Sequence, residues 1–347
     1  MQHAPVPISS PLTTSDLEPV TANRSSIHSR PRWVAPTLRT LKCRKDIEDE
    51  KNGGPKIFHR STFLEWNYDA ELFAFANRLG EKFDDTLLRC ALTHRSYIER
   101  ESSKLLAVGM ENGLSIVEND ELASKGEKFM SAVVKGYLRA VFTKVPEEFI
   151  GSVHDQLMSV STLSHVGKNI GLGDITLCAD FPCHEETLAK SLKAIVAALE
   201  QSSGEERARI FVQDMIVTQL YGKDVNEIWN PVNPVGILAE ILAREGKAEP
   251  EFRLIRQAGH GTILAAYHVG VYSDKILIAS GAGESIETAQ EMAARDGLKR
   301  LFHTEDCMKA LPFGRQLANI QKRIIESEKR ANVSLNEWTS SKATLSN

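Results

Sequence analysis

Several things this chain lacks rule out broad classes. Its 347 residues hold only five cysteines, Cys43, Cys90, Cys178, Cys183 and Cys307. That odd, scattered set speaks against a disulfide framework and for a reducing compartment. Cys178 and Cys183-His184 lie close together, but no second pair at finger spacing follows, so they read as packed thiols rather than metal ligands. No apolar run is long enough to cross a bilayer. Met1 has no adjoining apolar stretch, so no secretory signal is read. Positive charge is also scarce: 42 Lys and Arg against 46 Asp and Glu leave a net charge of -4. A protein that held RNA by itself would need a basic surface, so any affinity for RNA is expected to draw on protein neighbours.

What is present suits two ordinary domains with tails. The hydrophobic share of 42% and charged share of 25% are those of a globular chain. Residues 1–58 show no core pattern, being rich in Pro, Ser and Thr. Up to Lys45, the cations Arg24, Arg30, Arg32, Arg39, Lys42, Arg44 and Lys45 outnumber the acids Asp16 and Glu18, which suits either a mitochondrial import segment or a plain disordered tail.

From Phe63 the pattern becomes helical. Trp66 to Leu79 carries an aromatic and leucine stripe that reads as core. Asn119 to Phe142 reads as a long helix on which Asp120, Ala123 and Glu127 share a face, because steps of three and four residues stack side chains. Leu188 to Leu199 reads as a second helix that places Lys190 and Lys193 together beside an Ala-rich stripe. Leu157 to Asp174 is expected to end a helix at Asn169 to Gly171, and a further helix runs from Glu205 to Tyr221. Phe63 to Trp229 is therefore nearly all-α.

Beyond it, Asn233-Pro opens a helix. Strands are expected over Glu251 to Arg256, Ile263 to Tyr272 and Lys275 to Ser280, the last two joined by a Ser273-Asp274 hairpin. Gly281-Ala-Gly then leads into an Ala-rich helix ending near Leu301. Beyond Leu301 the chain turns polar; Leu317, Ile320 and Ile324 line either one short helix that docks onto a neighbour or part of a mobile tail.

The segment Ala91-Leu-Thr-His-Arg-Ser-Tyr97, the helix opening Asn119-Asp-Glu-Leu and the ending Gly171-Leu-Gly-Asp174 resemble, in order, the ribonuclease III domain. The resemblance implies an all-α catalytic fold that acts as a dimer and uses divalent ions held by five carboxylates. On this sequence Asp120 and Glu127 keep an acid, Ala123 does not, and the two acids of the second helix fall on Lys190 and Lys193. The expectation is a dead site with no catalytic residue, no metal and no cofactor, in which the lysines either neutralise the two acids or face solvent. His94 reads as a structural histidine, since metals carry the family's chemistry.

The α-β-β-β-α order resembles the double-stranded-RNA-binding domain, so the fold class is α+β. In that family a first-helix residue and a strand-loop histidine reach the minor groove, and lysines opening the last helix touch phosphates. Glu240 and His260 fall at the first two places, while Ile286 and Glu287 replace the lysine pair. Arg295, Lys299 and Arg300 remain as candidate RNA contacts.

The expected division is 1–58 as N-terminal segment, 59–229 ribonuclease III-like, 230–304 RNA-binding, and 305–347 polar tail. Together with Trp66-Asn-Tyr-Asp, Gln201-Ser-Ser-Gly204, Asn233-Pro and Gly281-Ala-Gly-Glu, this architecture resembles structural proteins of the mitochondrial large ribosomal subunit. The resemblance implies a matrix location, with large-subunit ribosomal RNA and neighbouring ribosomal proteins as partners. The alternatives are an RNA-processing endonuclease with unorthodox metal ligation, or a scaffold paired with an active one.

Overall fold

Helix caps and glycine stops, rather than long linkers, mark out the elements of this chain. The computed structural model describes residues 34–51, 53–54, 60, 63–109, 117–259, 261–305 and 310–345. It divides into two units, 1–57 and 58–347.

In the first unit a helix, α1, spans Val34–Lys51. This corrects the expectation of a largely disordered segment over 1–58 for that stretch. Helix α1 carries no apolar stripe. Its residues are instead good helix formers with opposite charges four apart, such as Lys42 with Asp46 and Arg44 with Glu48.

In the second unit, α2 (Tyr68–Leu79) starts where the Asn67 side chain accepts from the Asp69 amide at 3.1 Å and stops at left-handed Gly80. Next come α3 (Asp85–Leu92) and α4 (Arg95–Ala107). The long α5 (Asp120–Val141) buries Met130, Val133, Val134, Tyr137 and Leu138. It is followed by α6 (Glu147–Leu157) and by α7 (Val160–Ile170), which ends at Gly171 with φ +89°, as the sequence led us to expect. The short α8 (Leu172–Ile175) leads to α9 (Glu185–Ser203), whose inward face runs Leu188, Leu192, Ile195, Val196 and Leu199. After α10 (Glu205–Met215) and a 3₁₀ turn, Val217–Leu220, comes α11 (Val225–Ile228). Helices α5 and α9 cross at the centre, and the others wrap them. None of the described helices is long and apolar enough to cross a membrane.

The second domain opens with α12 (Pro234–Arg244), where the Asn233 side chain accepts from the Gly236 amide at 2.9 Å. Strands β1 (Glu251–Ala258), β2 (Ala266–Ser273) and β3 (Ile276–Gly283) form an antiparallel sheet in that order. The hairpin turn is Asp274-Lys275, one residue later than expected, because Ser273 pairs with Ile276. Both turn residues have positive φ, 52° and 66°, the geometry a two-residue turn needs to match strand twist. Helix α13 (Ile286–Phe302) covers the sheet. A Cβ on Gly281 would sit 2.2 Å from the Ala293 amide nitrogen, and one on Gly283 2.6 Å from that of Ala289. The Gly-x-Gly is therefore what lets the helix backbone lie against β3.

The segment beyond Leu301 departs most from expectation. Its described residues 310–345 are neither a mobile tail nor a helix offered to another protein. A 3₁₀ turn, Gly314–Asn319, leads to α14 (Gln321–Glu328), which packs along α5, and α15 (Ser340–Leu345) follows. Leu317 and Ile324 are buried, and Ile320 is half-buried. At Gly136 a Cβ would lie 2.9 Å from the Ile324 carbonyl oxygen, so α5 and α14 meet backbone to backbone. The buried Arg209 guanidinium is paired with Glu328, and Arg139 donates to the Ser327 and Glu328 carbonyls at 3.2 and 3.1 Å, closing the end of α14.

A row of rings joins both domains to this segment. Phe142, Phe149, Trp229, Phe302 and Trp338 follow one another at centroid separations of 5.7, 5.6, 5.9 and 5.0 Å. Trp338 is 1% exposed, and its indole N–H donates to the Lys144 carbonyl at 2.8 Å.

Candidate functional site

The start of α5 is held from below. Asn119 is fully buried, and its side-chain amide donates to the Ala91 carbonyl at the end of α3 at 3.2 Å. Seven residues on, Gly126 meets α9 so closely that a Cβ would lie 1.9 Å from the Lys193 carbonyl oxygen. No other residue type permits that approach without moving a helix. It sets the register of the two helices, and with it the partners of four charges.

Lys193 Nζ donates to Glu127 Oε1 at 2.9 Å, and Lys190 is paired with Asp120. Of the two readings open in the sequence, pairing or solvated faces, the geometry has the pairs. Ala123 lies between the two acids along α5 and is buried at 6% exposure. The Lys193 side chain is 18% exposed and Glu127 55%, so these are partly screened pairs worth at most about 1 kcal/mol each. Two ammonium groups on two carboxylates leave a locally neutral cluster. Among the described residues no three His, Cys, Asp or Glu side chains converge as a metal site would require.

His94 stands beside this cluster as the cap of α4. Its Nδ1 lies 2.9 Å from the Ser96 hydroxyl and 3.3 Å from the Ser96 amide that donates to it. Burial pushes its pKa below the ordinary imidazole value, and the Lys190 charge adds to the effect. His154, buried between Ser131 at 2.8 Å and Asp155 at 2.9 Å, is lowered by burial too. A base whose folded pKa is depressed takes its proton more readily in the unfolded chain. The stability these two neutral imidazoles contribute is therefore present above about pH 6.5 and is lost as pH falls below it. Thermal unfolding is expected to show Tm falling between about pH 7.5 and about pH 5.5; a flat profile would contradict this.

The candidate RNA contacts lie in the second domain and are largely engaged within the chain. Glu240 is paired with Arg244 at 2.9 Å on its own helix, and Arg244 donates onward to the Leu335 carbonyl at 2.7 Å. His260 lies outside the described residues. Arg295 is 3.9 Å from Glu291, Lys299 is 3.9 Å from Asp224, and Arg300 is 3.0 Å from Asp296 and also donates to the Ile278 carbonyl. Arg295 and Lys299 border one recess with Trp229 and Phe302, while Arg300 is not among its lining residues. The opening turn of α13 carries an acid, Glu287, beside exposed Ile286, and Ser285 caps it by accepting from the Thr288 amide at 3.1 Å. Glu287→Lys is expected to tighten binding to duplex RNA and steepen the salt dependence by about one unit of log slope. No change in a salt titration of binding would show that this helix end does not meet RNA.

The sequence reading missed the ring row and the Arg209 to Glu328 pair. The ion pair joins residues 119 positions apart, and the row strings together rings from Phe142 to Trp338, beyond the reach of any local pattern; only the isolated tryptophan in a polar stretch, Trp338, was a visible sign.

Known proteins resemble the chain in both parts. The family model described as large ribosomal subunit protein mL44, endonuclease domain, matches residues 67–199, and that of the MRPL44 dsRNA-binding domain matches residues 229–339. Large ribosomal subunit protein mL44 of Caenorhabditis elegans is 31% identical over 315 residues, 89% of this chain and 76% of that protein. Ribonuclease 3 of Symbiobacterium thermophilum is 26% identical over 66% of this chain and 94% of its own length. Ribonuclease 3 of Enterococcus faecalis is 25% identical over 65% and 94%. The second family model extends to residue 339, so it takes in α14 and Trp338 along with the sheet. With both domains matched in order and a relative aligned along most of its length, the chain belongs to the family of large ribosomal subunit protein mL44.

Proposed function

We propose that the chain is a structural component of the mitochondrial large ribosomal subunit and that its ribonuclease III-like domain does not cut RNA. The observation that carries this reading is the seating of Lys190 on Asp120 and of Lys193 on Glu127. Hydrolysis of a phosphodiester in the resembling enzymes relies on divalent ions, and hard ions such as Mg²⁺ take oxygen ligands. Here the donor set does not fit such an ion. Two acids remain, each already neutralised, and an ammonium within about 4 Å of a divalent ion would cost roughly 8 kcal/mol at an effective dielectric of about 20.

In this role the protein contacts large-subunit ribosomal RNA and adjacent proteins in the matrix, and its helical domain pairs with a copy of itself or with a relative. The net charge of -4 suits a molecule held by local basic contacts and protein neighbours rather than by a basic face. The test is fractionation: the tagged protein is expected to co-sediment with mitochondrial large-subunit RNA. Purified protein given Mg²⁺ or Mn²⁺ should leave a duplex hairpin intact. Digestion that stops with a chelator would overturn the assignment of a silent site, and sedimentation away from ribosomal RNA would overturn the structural role.

A further inference from the structure

The segment between α8 and α9 brings together two groups that the ribosomal role does not use. Cys178 and Cys183 have their sulfurs 2.9 Å apart, within about 1 Å of the bonded length of about 2.05 Å. Both side chains are half-buried. The segment is anchored on each side of the pair. Leu177 forms a parallel bridge to Thr93, with its amide donating to the Leu92 carbonyl at 2.9 Å, and Glu185 begins α9. The two thiols are thus presented to each other by fixed backbone, and Cys178 borders an open cleft with Tyr97, Arg100 and Phe181 that a small reagent can enter.

The two sulfurs are not equivalent. The hydrogen bond between the two thiols lowers the Cys178 pKa, and the Arg100 guanidinium adds to this. The same contact raises the pKa of Cys183, as does burial. An attacking thiol and a resolving thiol are distinguished in this way.

We propose that Cys178 and Cys183 are a reversible dithiol centre that closes to a disulfide at the expense of a low-molecular-weight disulfide such as glutathione disulfide. The Cys178 thiolate attacks one sulfur of glutathione disulfide, forming a mixed disulfide and releasing one glutathione thiolate. Cys183 then gives its proton to water and attacks Cys178 Sγ, displacing the second glutathione thiolate. Two electrons pass from the protein to the oxidant, which leaves as two glutathiones once protonated. The closed form clips the segment that feeds α9, the helix bearing Lys190 and Lys193.

The experiment uses the full chain. No Lys or Arg lies between Lys168 and Lys190, so both thiols fall in one tryptic peptide, 169–190. After incubation with glutathione disulfide this peptide from the unaltered chain should lose about 2 Da and regain it with a dithiol reductant. In Cys183→Ser the same peptide should instead keep one glutathione, a gain of about 305 Da, and in Cys178→Ser that adduct should form at least about tenfold more slowly. A peptide unchanged in mass, or a lasting glutathione adduct on the unaltered chain, would overturn the dithiol centre. Equal adduct rates in the two variants would overturn the assignment of Cys178 as the attacking sulfur.

Discussion

Trp338→Ala is expected to lower the unfolding free energy by about 3–5 kcal/mol, the range for emptying a large buried aromatic. Trp338 is 1% exposed, and its ring stands edge-on to Phe302 with centroids 5.0 Å apart. Truncation removes the end of the ring row and leaves the Lys144 carbonyl without the indole donor it now accepts from at 2.8 Å. Because the row passes through Phe142 and Phe149 of the helical domain and Phe302 of the RNA-binding domain, both should loosen together. Trp338→Phe keeps most of the volume but not the hydrogen bond, so its loss should be nearer about 1–2 kcal/mol. Denaturant unfolding of the three proteins measures this. A loss below about 1 kcal/mol for the alanine variant would mean that the C-terminal segment adds little to the fold.

Placing acids on α9 is expected to produce a metal-dependent protein. In Lys190→Asp combined with Lys193→Glu, four carboxylates face one another across α5 and α9, with Gly126 holding the helices at close range. Without divalent ions this variant should be less stable than the natural sequence, since two attractive pairs become repulsive ones. With Mn²⁺ or Mg²⁺ at a hundredfold excess over its Kd it should regain about 2.7 kcal/mol, and a chelator should remove the gain. The natural sequence should show no shift in Tm with the same ions. An equal shift in both proteins would mean that the lysines do not keep ions away.

Much of this was legible from residue order, for reasons that also explain what was not. Asp120, Glu127, Lys190 and Lys193 could be placed on facing helix stripes because helical spacing is local, and Gly126 supplied the register that turned stripes into contacts. The cap at Asn233 and the stop at Gly171 were readable for the same reason: each acts on its own turn. The hairpin slipped by one residue because positive φ at both Asp274 and Lys275 depends on the pairing of Ser273 with Ile276, which composition does not reveal. Helix α1 gives no apolar periodicity because propensity and charge spacing, not a buried face, account for it. The docking of Leu317, Ile324 and Trp338 was hidden because their partners lie far back in the chain.

That last arrangement bears on how the molecule is made. Arg139 closes the end of α14 through carbonyls 188 and 189 positions downstream, so the surface of α5 that α14 covers stays bare until α14 itself has been synthesised. A nascent chain of this kind cannot finish its helical domain before α14 emerges. It leaves apolar surface for chaperones to shield in the meantime, and a premature stop ahead of α14 uncovers α5 nearly two hundred residues upstream.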